Sequence, residues 1–244
     1  MPRDWGALNR LEKRISPDRG PVWRKRVRAE AMELICGLDH SVILDLGCGQ
    51  RSCVPLDLEG RPGLRVGLDL ERSFASNPAL DSFVAASAES LPLRPACVDV
   101  VLSSFLLEHL ARPHEALREV ARVLKPGGHA ILWTSNRLNY AIALSSVTPM
   151  RFHNWALRFS FPEGKDRCPT FYRANTPKAL EQAVCASGLR LCGPVRVLSN
   201  AHWYFQFSRP LFACFALASR IADYTPLRRC KGLLVVHCEK PQRS

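Results

Sequence analysis

The chain has 244 residues, a hydrophobic fraction of 47% and a formal net charge of +12. That length suits one α/β domain with room for a modest cap, and the apolar content suffices for a real core. No apolar run reaches bilayer-spanning length, and the charged N-terminus lacks the apolar stretch of a signal peptide.

Ten cysteines occur without a C-x-x-C pair, which gives a zinc site little support, so no metal is expected. The cysteines read as small buried hydrophobes of a reducing, cytoplasmic protein. Half of the net charge falls in the first 28 residues, where nine basic side chains oppose three acidic ones. Such a segment suits nucleic acid, an anionic membrane or a phosphorylated substrate, or is simply the solvated face of a leading helix.

Residues 1–20 are polar and aperiodic, so a loop is expected there. Val22, Trp23, Val27, Met32, Leu34 and Ile35 allow an amphipathic helix over 22–38, stopped by Gly37. Next comes Val42-Ile-Leu-Asp-Leu-Gly-Cys-Gly-Gln50. Branched apolar residues leading into an acid predict a buried parallel strand over Val42–Leu46. Gly47 and Gly49 would let the backbone bend sharply and lie against a ligand. Asp45 would present its carboxylate at the strand's C-terminal end, where open α/β sheets bind ligands. A dinucleotide fingerprint needs a third glycine where Ser52 stands, so that reading fails.

Pro55 and Gly60 make the following helix short or irregular. Leu64–Leu70 reads as the second strand, with Asp69 lying 22 residues beyond Gly47, close to the spacing of an acid that binds ribose hydroxyls. Phe83–Ala86 and Val98–Ser103 are the third and fourth strands. Leu117, Val120, Ala121 and Leu124 give a helix over Ala116–Leu124. Lys125-Pro-Gly-Gly128 ends it, and His129–Ser135 is the fifth strand.

Residues 136–176 form a long connection containing Tyr140, His153, Trp155, Tyr172 and Arg173. A connection of this length is a substrate lid, or a helical subdomain whose aromatics pack on the sheet. Thr176–Gly188 returns to a helical pattern, with Thr176 as N-cap and Pro177 in the first turn. Leu189–Leu198 is the expected sixth strand. A second insertion spans about 201–229, and its Leu211–Ala218 stretch is apolar all round, which predicts a buried helix. Gly232–Cys238 is the last strand.

The glycine-turn stretch resembles motif I of the class I S-adenosylmethionine (SAM) dependent methyltransferases, and within them the type 11 small-molecule group. Ser104-Phe-Leu-Leu-Glu-His-Leu110 and the run LREVARVLKPGGHAIL over 117–132 are similar to the same group. The resemblance covers roughly residues 41–135. It implies a Rossmann-like, doubly wound, mostly parallel seven-stranded sheet with an antiparallel last strand and inserted cap segments. It also implies a single domain over 1–244: an N-terminal helical segment (1–40), a SAM-binding core (41–135), a lid (136–176) and a C-terminal part (177–244).

The cofactor implied is SAM, with S-adenosyl-L-homocysteine as product. Asp45 would receive the methionyl amino group, and the backbone of Gly47, Cys48 and Gly49 would pack against the amino-acid and ribose portions. Asp69 would take the ribose hydroxyls. Ser87, standing where the family usually has aspartate, would frame the adenine with Ala88 and Glu89. Leu70 and Phe105 would wall the site, and Ser103, Ser104 and Phe105 would border the methionine and the acceptor. His109 is a candidate general base, with His153 and Tyr172 as alternatives. Tyr140, Trp155 and Arg173 would meet the acceptor. The reaction expected is O-methylation of a small organic molecule. The alternatives are a lipid-linked or prenylated acceptor with peripheral membrane contact, RNA, and a non-catalytic SAM-binding partner module. The RNA reading lacks an N-P-P-Y-type motif.

Overall fold

A computed structural model describes residue 10 and residues 22–38, 40–50, 63–139, 169–198, 208–222 and 224–242. Branched apolar runs set the centre of the sheet. β1 (Ser41–Leu46) and β4 (Val98–Ser104) carry Ile43, Leu44, Val100, Val101 and Leu102, all buried. Such continuous runs form strands covered on both faces, as in parallel sheets. β1 pairs in parallel with β4 and with β2 (Gly63–Asp69), which pairs in parallel with β3 (Ser82–Ala85). β4 pairs in parallel with β5 (Leu124–Ser135). The last strands are β6 (Arg190–Leu191), β7 (Arg196–Leu198) and β8 (Leu233–Glu239). The order is β3-β2-β1-β4-β5-β8-β6, with β7 also on β8, and β8 runs antiparallel to β6. This is the expected doubly wound, mostly parallel sheet, with the last strand inserted before the sixth.

Two stretches differ from the sequence reading. The single strand expected over 189–198 is two short ones, so the sheet has eight strands where seven were expected. Gly193 and Pro194 fall between them, and a proline has no N–H to give the ladder. The Lys125-Pro-Gly-Gly128 segment is drawn into β5 instead of turning outside it. A register shift between Val98 and Val100 absorbs the irregularity. Gly127 N donates to Lys240 O at 2.8 Å, and Lys240 N donates to Gly128 O at 2.9 Å.

Helices α1 (Val22–Cys36), α2 (Pro113–Val123) and α3 (Pro177–Ala186) accompany the strands. α2 starts three residues before the expected Ala116 because Pro113 fits a first turn, where its missing N–H costs nothing. Its Ala116, Leu117, Val120 and Val123 are buried at helical spacing. Thr176 caps α3 as expected, its hydroxyl accepting from Ala179 N at 3.2 Å.

The chain divides into two compact units. One holds Met1–Lys25, Ser135–Pro169 and Val197–Leu234; the other holds Arg26–Thr134, Thr170–Arg196 and Val235–Ser244. Within the first, Asn136 and Asn139 are fully buried. The Asn136 side chain donates to the carbonyls of Arg229 and Lys231, and that of Asn139 to Cys230. Its α4 (Arg209–Ala222) departs from expectation. Phe212 and Ala216 are buried, but Leu211, Leu217 and Ile221 are 40%, 51% and 59% exposed. The helix is therefore apolar on a buried side and on an open side, rather than enclosed. Among the described residues no helix is long and apolar enough to cross a membrane.

In the second unit, the loop after β3 is clamped onto α2. Arg122 donates to Leu93 O at 2.8 Å and Leu91 O at 2.9 Å, and its Nε donates to Glu119 Oε1 at 2.7 Å. Glu119 Oε2 accepts from Leu91 N at 2.7 Å. The Arg122 guanidinium, outweighing burial, holds the Glu119 carboxyl below its ordinary value of 4.5. A carboxyl depressed on folding adds stability above its unfolded value and loses it as pH falls through the folded one. Glu119→Gln should therefore cost about 1–2 kcal/mol at pH 7 by urea unfolding. The gap between parent and variant should shrink below about pH 4.5. A gap that stays constant into acid would show that the clamp is not ionic.

Candidate cofactor site

The expected cofactor residues lie at or just after the C-terminal ends of four adjacent strands, β3, β2, β1 and β4. In the ladder Asp45 lies opposite Gly67, and Asp69 follows two residues later. Paired residues of parallel strands share a face and alternate along it, so Asp45 and Asp69 point to the same side of the sheet. Their charges both act on the Cys48 thiol. The two acids thus flank one turn, as the motif required.

That turn is pinned to β2. Gly47 N and Cys48 N both donate to Leu68 O, at 2.8 and 3.2 Å. Gly49 N donates to Asp69 Oδ2 at 3.0 Å, and Glu71 N donates to Asp69 Oδ1 at 3.1 Å. Gly47 has φ +73°, and a Cβ there would come within 3.0 Å of Leu106. Gly49 has φ +54°, and a Cβ there would meet nothing within 4 Å. The second glycine therefore serves the left-handed bend and leaves open space beside the main chain. Asp69 is half-buried, and its neighbour Leu70 is 75% exposed. Asp45 is wholly buried. Burial, then the carboxylates of Asp45 and Asp69, push the Cys48 thiol up to about 12. Its sulfur packs over Gly67, where a Cβ would come within 3.0 Å of it.

Three expected cofactor contacts have other work. Ser87 Oγ accepts from Glu89 N at 3.2 Å, so the hydroxyl shapes its own loop. Glu89 is held by Arg112, whose backbone N and Nε donate to it at 2.7 and 3.0 Å. Both side chains are thus engaged within the protein, and Ala88 between them is buried. Ser103 is buried, and its hydroxyl donates to Leu46 O at 2.8 Å, tying β4 to β1.

Beyond β4 the backbone is strained. Phe105 has φ +53°, and its N donates to Trp133 O at 2.9 Å. A bulky residue in the left-handed region costs energy and persists where its surroundings over-determine it, commonly at ligand sites. His109 ends a 3-10 turn, Leu107–His109, and is half-exposed. Its neighbour Glu108 is the residue the sequence reading left out. It is 3% exposed, and Thr134 Oγ1 donates to its Oε2 at 2.5 Å. Asn175 Nδ2 donates to the same Thr134 oxygen at 2.7 Å. The Glu108 carbonyl accepts from Phe171 N at 2.7 Å and Tyr172 N at 3.3 Å. A Glu-His pair just past a strand end was the available signal, but only folding reveals its partners.

Tyr172 also has a positive φ, +51°. Burial, then the charge of Glu108, push its hydroxyl above its ordinary value. Arg173 sits 5.9 Å over the Phe171 ring, an exposed cation–π contact. Tyr140, His153 and Trp155 lie outside the described residues.

Residues 44–132 match the family model described as a methyltransferase domain. Over that stretch the chain is similar to methyltransferase domains. The chain is 31% identical over 169 residues to the ubiquinone biosynthesis O-methyltransferase of Maricaulis maris. That alignment covers 65% of this chain and 62% of the relative, so the chain spans less than two thirds of that protein's length. It is 44% identical over 115 residues to the ubiquinone/menaquinone biosynthesis C-methyltransferase UbiE of Acidiphilium cryptum, covering 43% of this chain and 46% of the relative. A solved structure, the geranyl diphosphate C-methyltransferase of Streptomyces coelicolor A3(2) with S-adenosyl-L-homocysteine, superposes with TM-score 0.58. It covers 98% of this chain and 90% of its own, at 13% identity, so the likeness is one of fold.

Burial places Cys48 out of reach of alkylating agents. Iodoacetamide at pH 8 should modify the exposed Cys36, Cys185, Cys192 and Cys214 well before Cys48, read by peptide mass mapping. Early labelling of Cys48 would mean that the glycine turn opens in solution.

Proposed function

We propose that the protein transfers the methyl group of SAM to a hydroxyl of a small organic acceptor. The observation that carries this reading is the Asp69 clasp. Each carboxylate oxygen holds one backbone N–H, from Gly49 and Glu71, and keeps a further lone pair for a ribose hydroxyl. The space beside Gly49 and the exposed Leu70 side chain fit a nucleoside laid along the strand ends. When bound, SAM supplies a methyl already activated on a sulfonium.

The chain's own residues then divide the work. Asp45, below the turn, supplies negative charge toward the methionyl ammonium. Leu70 covers one adenine face, and the backbone of Ser87, Ala88 and Glu89 borders the ring edge. Ser104 and Phe105 border the acceptor, held in line with the methyl by the strained strand end. His109 takes the hydroxyl proton. Glu108 fixes the 3-10 turn that carries His109, through Thr134.

The choice of a hydroxyl rests on the Maricaulis relative, which is named an O-methyltransferase. The Acidiphilium relative is named a C-methyltransferase, which favours carbon as the second reading.

Calorimetric titration with SAM tests the cofactor. Asp69→Ala should weaken binding by about 10- to 100-fold, since it removes charge-assisted contacts and frees the turn. Binding equal to the parent would reject the role of β2. Methyl-labelled SAM with small phenols and their long-tailed counterparts tests the acceptor. His109→Ala should lower kcat by about 100-fold without changing SAM affinity. A label found on carbon, with His109→Ala fully active, would favour the second reading.

A further inference from the structure

A second cluster of chemistry-bearing side chains lies away from the glycine turn. His129 of β5, His237 of β8 and Cys192 just after β6 have ligand atoms all within 4.8 Å of one another. His237 Nε2 stands 3.1 Å from His129 Nδ1. The other His237 nitrogen, Nδ1, lies 3.0 Å from Glu30 Oε1. Arg196 donates to the second Glu30 oxygen at 2.6 Å. All five residues belong to the same compact unit.

From this arrangement we infer that His129, Cys192 and His237 bind a zinc-class divalent ion. Glu30 holds the Nδ1 proton of His237, which leaves the Nε2 lone pair aimed at His129 Nδ1. A carboxylate behind a histidine in this way is the usual outer support of a metal-ligating imidazole. Tetrahedral Zn2+ places two nitrogen ligands about 3.3 Å apart, and a nitrogen and a sulfur about 3.6 Å apart. The imidazole pair already meets the first spacing. Cys192 is exposed beside Gly193, which has open space around it, so its thiol needs only about an ångström of movement. Two imidazoles and one thiolate suit zinc over magnesium or calcium, which prefer oxygen ligands.

Binding forms two nitrogen–metal bonds and one sulfur–metal bond. The Cys192 thiol proton leaves to solvent, and the His129 proton sits on Nε2 so that Nδ1 can coordinate. The fourth position is left to water. His129 also lines a cavity of about 490 Å3 together with Gly127, Arg190 and Glu239, so there is room for it. The ion would join β5, β8 and the break between β6 and β7, where Gly193 and Pro194 leave the ladder open. His129 pairs with Val100, three residues before the Ser103–Leu132 pair at the strand ends. The site is therefore about 10 Å down the strands from the glycine turn, at the far end from the nucleoside. Its failure would leave the methyl-transfer reading untouched.

Cobalt is the probe. The metal-free full chain titrated with Co2+ should show a thiolate-to-cobalt charge-transfer band and strong four-coordinate d–d bands. Both should saturate at one equivalent, and one equivalent of Zn2+ should erase them. Cys192→Ser, an exposed change that leaves the fold alone, should abolish the charge-transfer band. His129→Ala and Cys192→Ser should each weaken Zn2+ binding more than tenfold in chelator competition, with SAM affinity unchanged. Two results overturn the inference: a parent spectrum no stronger than that of Cys192→Ser, or Zn2+ affinity equal in parent and variants. Either would leave the two imidazoles as a hydrogen-bonded pair only.

Discussion

The carboxylate of Asp69 does two things at once. It closes the turn after β1 by accepting from Gly49 N, and it stands at the sheet edge where a nucleoside would lie. Gly47 and Gly49 sit in left-handed conformations, Gly47 N and Cys48 N both donate to Leu68 O, and Gln50 O accepts from Asn77 Nδ2. A charged acceptor makes a hydrogen bond roughly twice as strong as a neutral one. The shape of the cleft and its recognition of the ligand thus share one side chain. The remaining features support that edge: Ser103 ties β4 to β1, and Arg122 ties the loop after β3 to α2.

Where the sequence was legible, a local pattern and the global fold agreed. Continuous branched runs gave β1 and β4, and the spacing of Ala116, Leu117, Val120 and Val123 gave the buried face of α2. Asp45 in the first strand, the glycines after it and Asp69 one strand later marked a candidate site, and the sheet brings the two acids to one face. Boundaries moved by a residue or two because helix and strand ends fray. Larger misses had definite causes. The stretch 189–198 reads as one strand until the missing N–H of Pro194 is counted. Lys125-Pro-Gly-Gly128 reads as a turn until a register shift lets it continue β5.

The site side chains were less legible than the fold. Composition could not show that Ser87 and Glu89 would be occupied by their own loop and by Arg112. Glu108 was hidden beside the more conspicuous His109, since its meaning lies in Thr134 and Asn175, distant in sequence. The same holds for His129, Cys192 and His237. They belong to three separate strands or strand ends and show none of the short spacings by which metal ligands announce themselves. Only sheet order brings them together.

The clasp between β1 and β2 has a consequence for the chain as a whole. Gly49 and Asp69 are twenty residues apart, and β4 must be docked before the cleft is complete. An unfolded or half-folded chain therefore offers a nucleoside almost nothing to grip. A ligand that recognises only the finished edge shifts the folding balance by mass action, by about 1.4 kcal/mol for each tenfold excess over its dissociation constant. The amount of intact protein then follows the supply of its own cofactor.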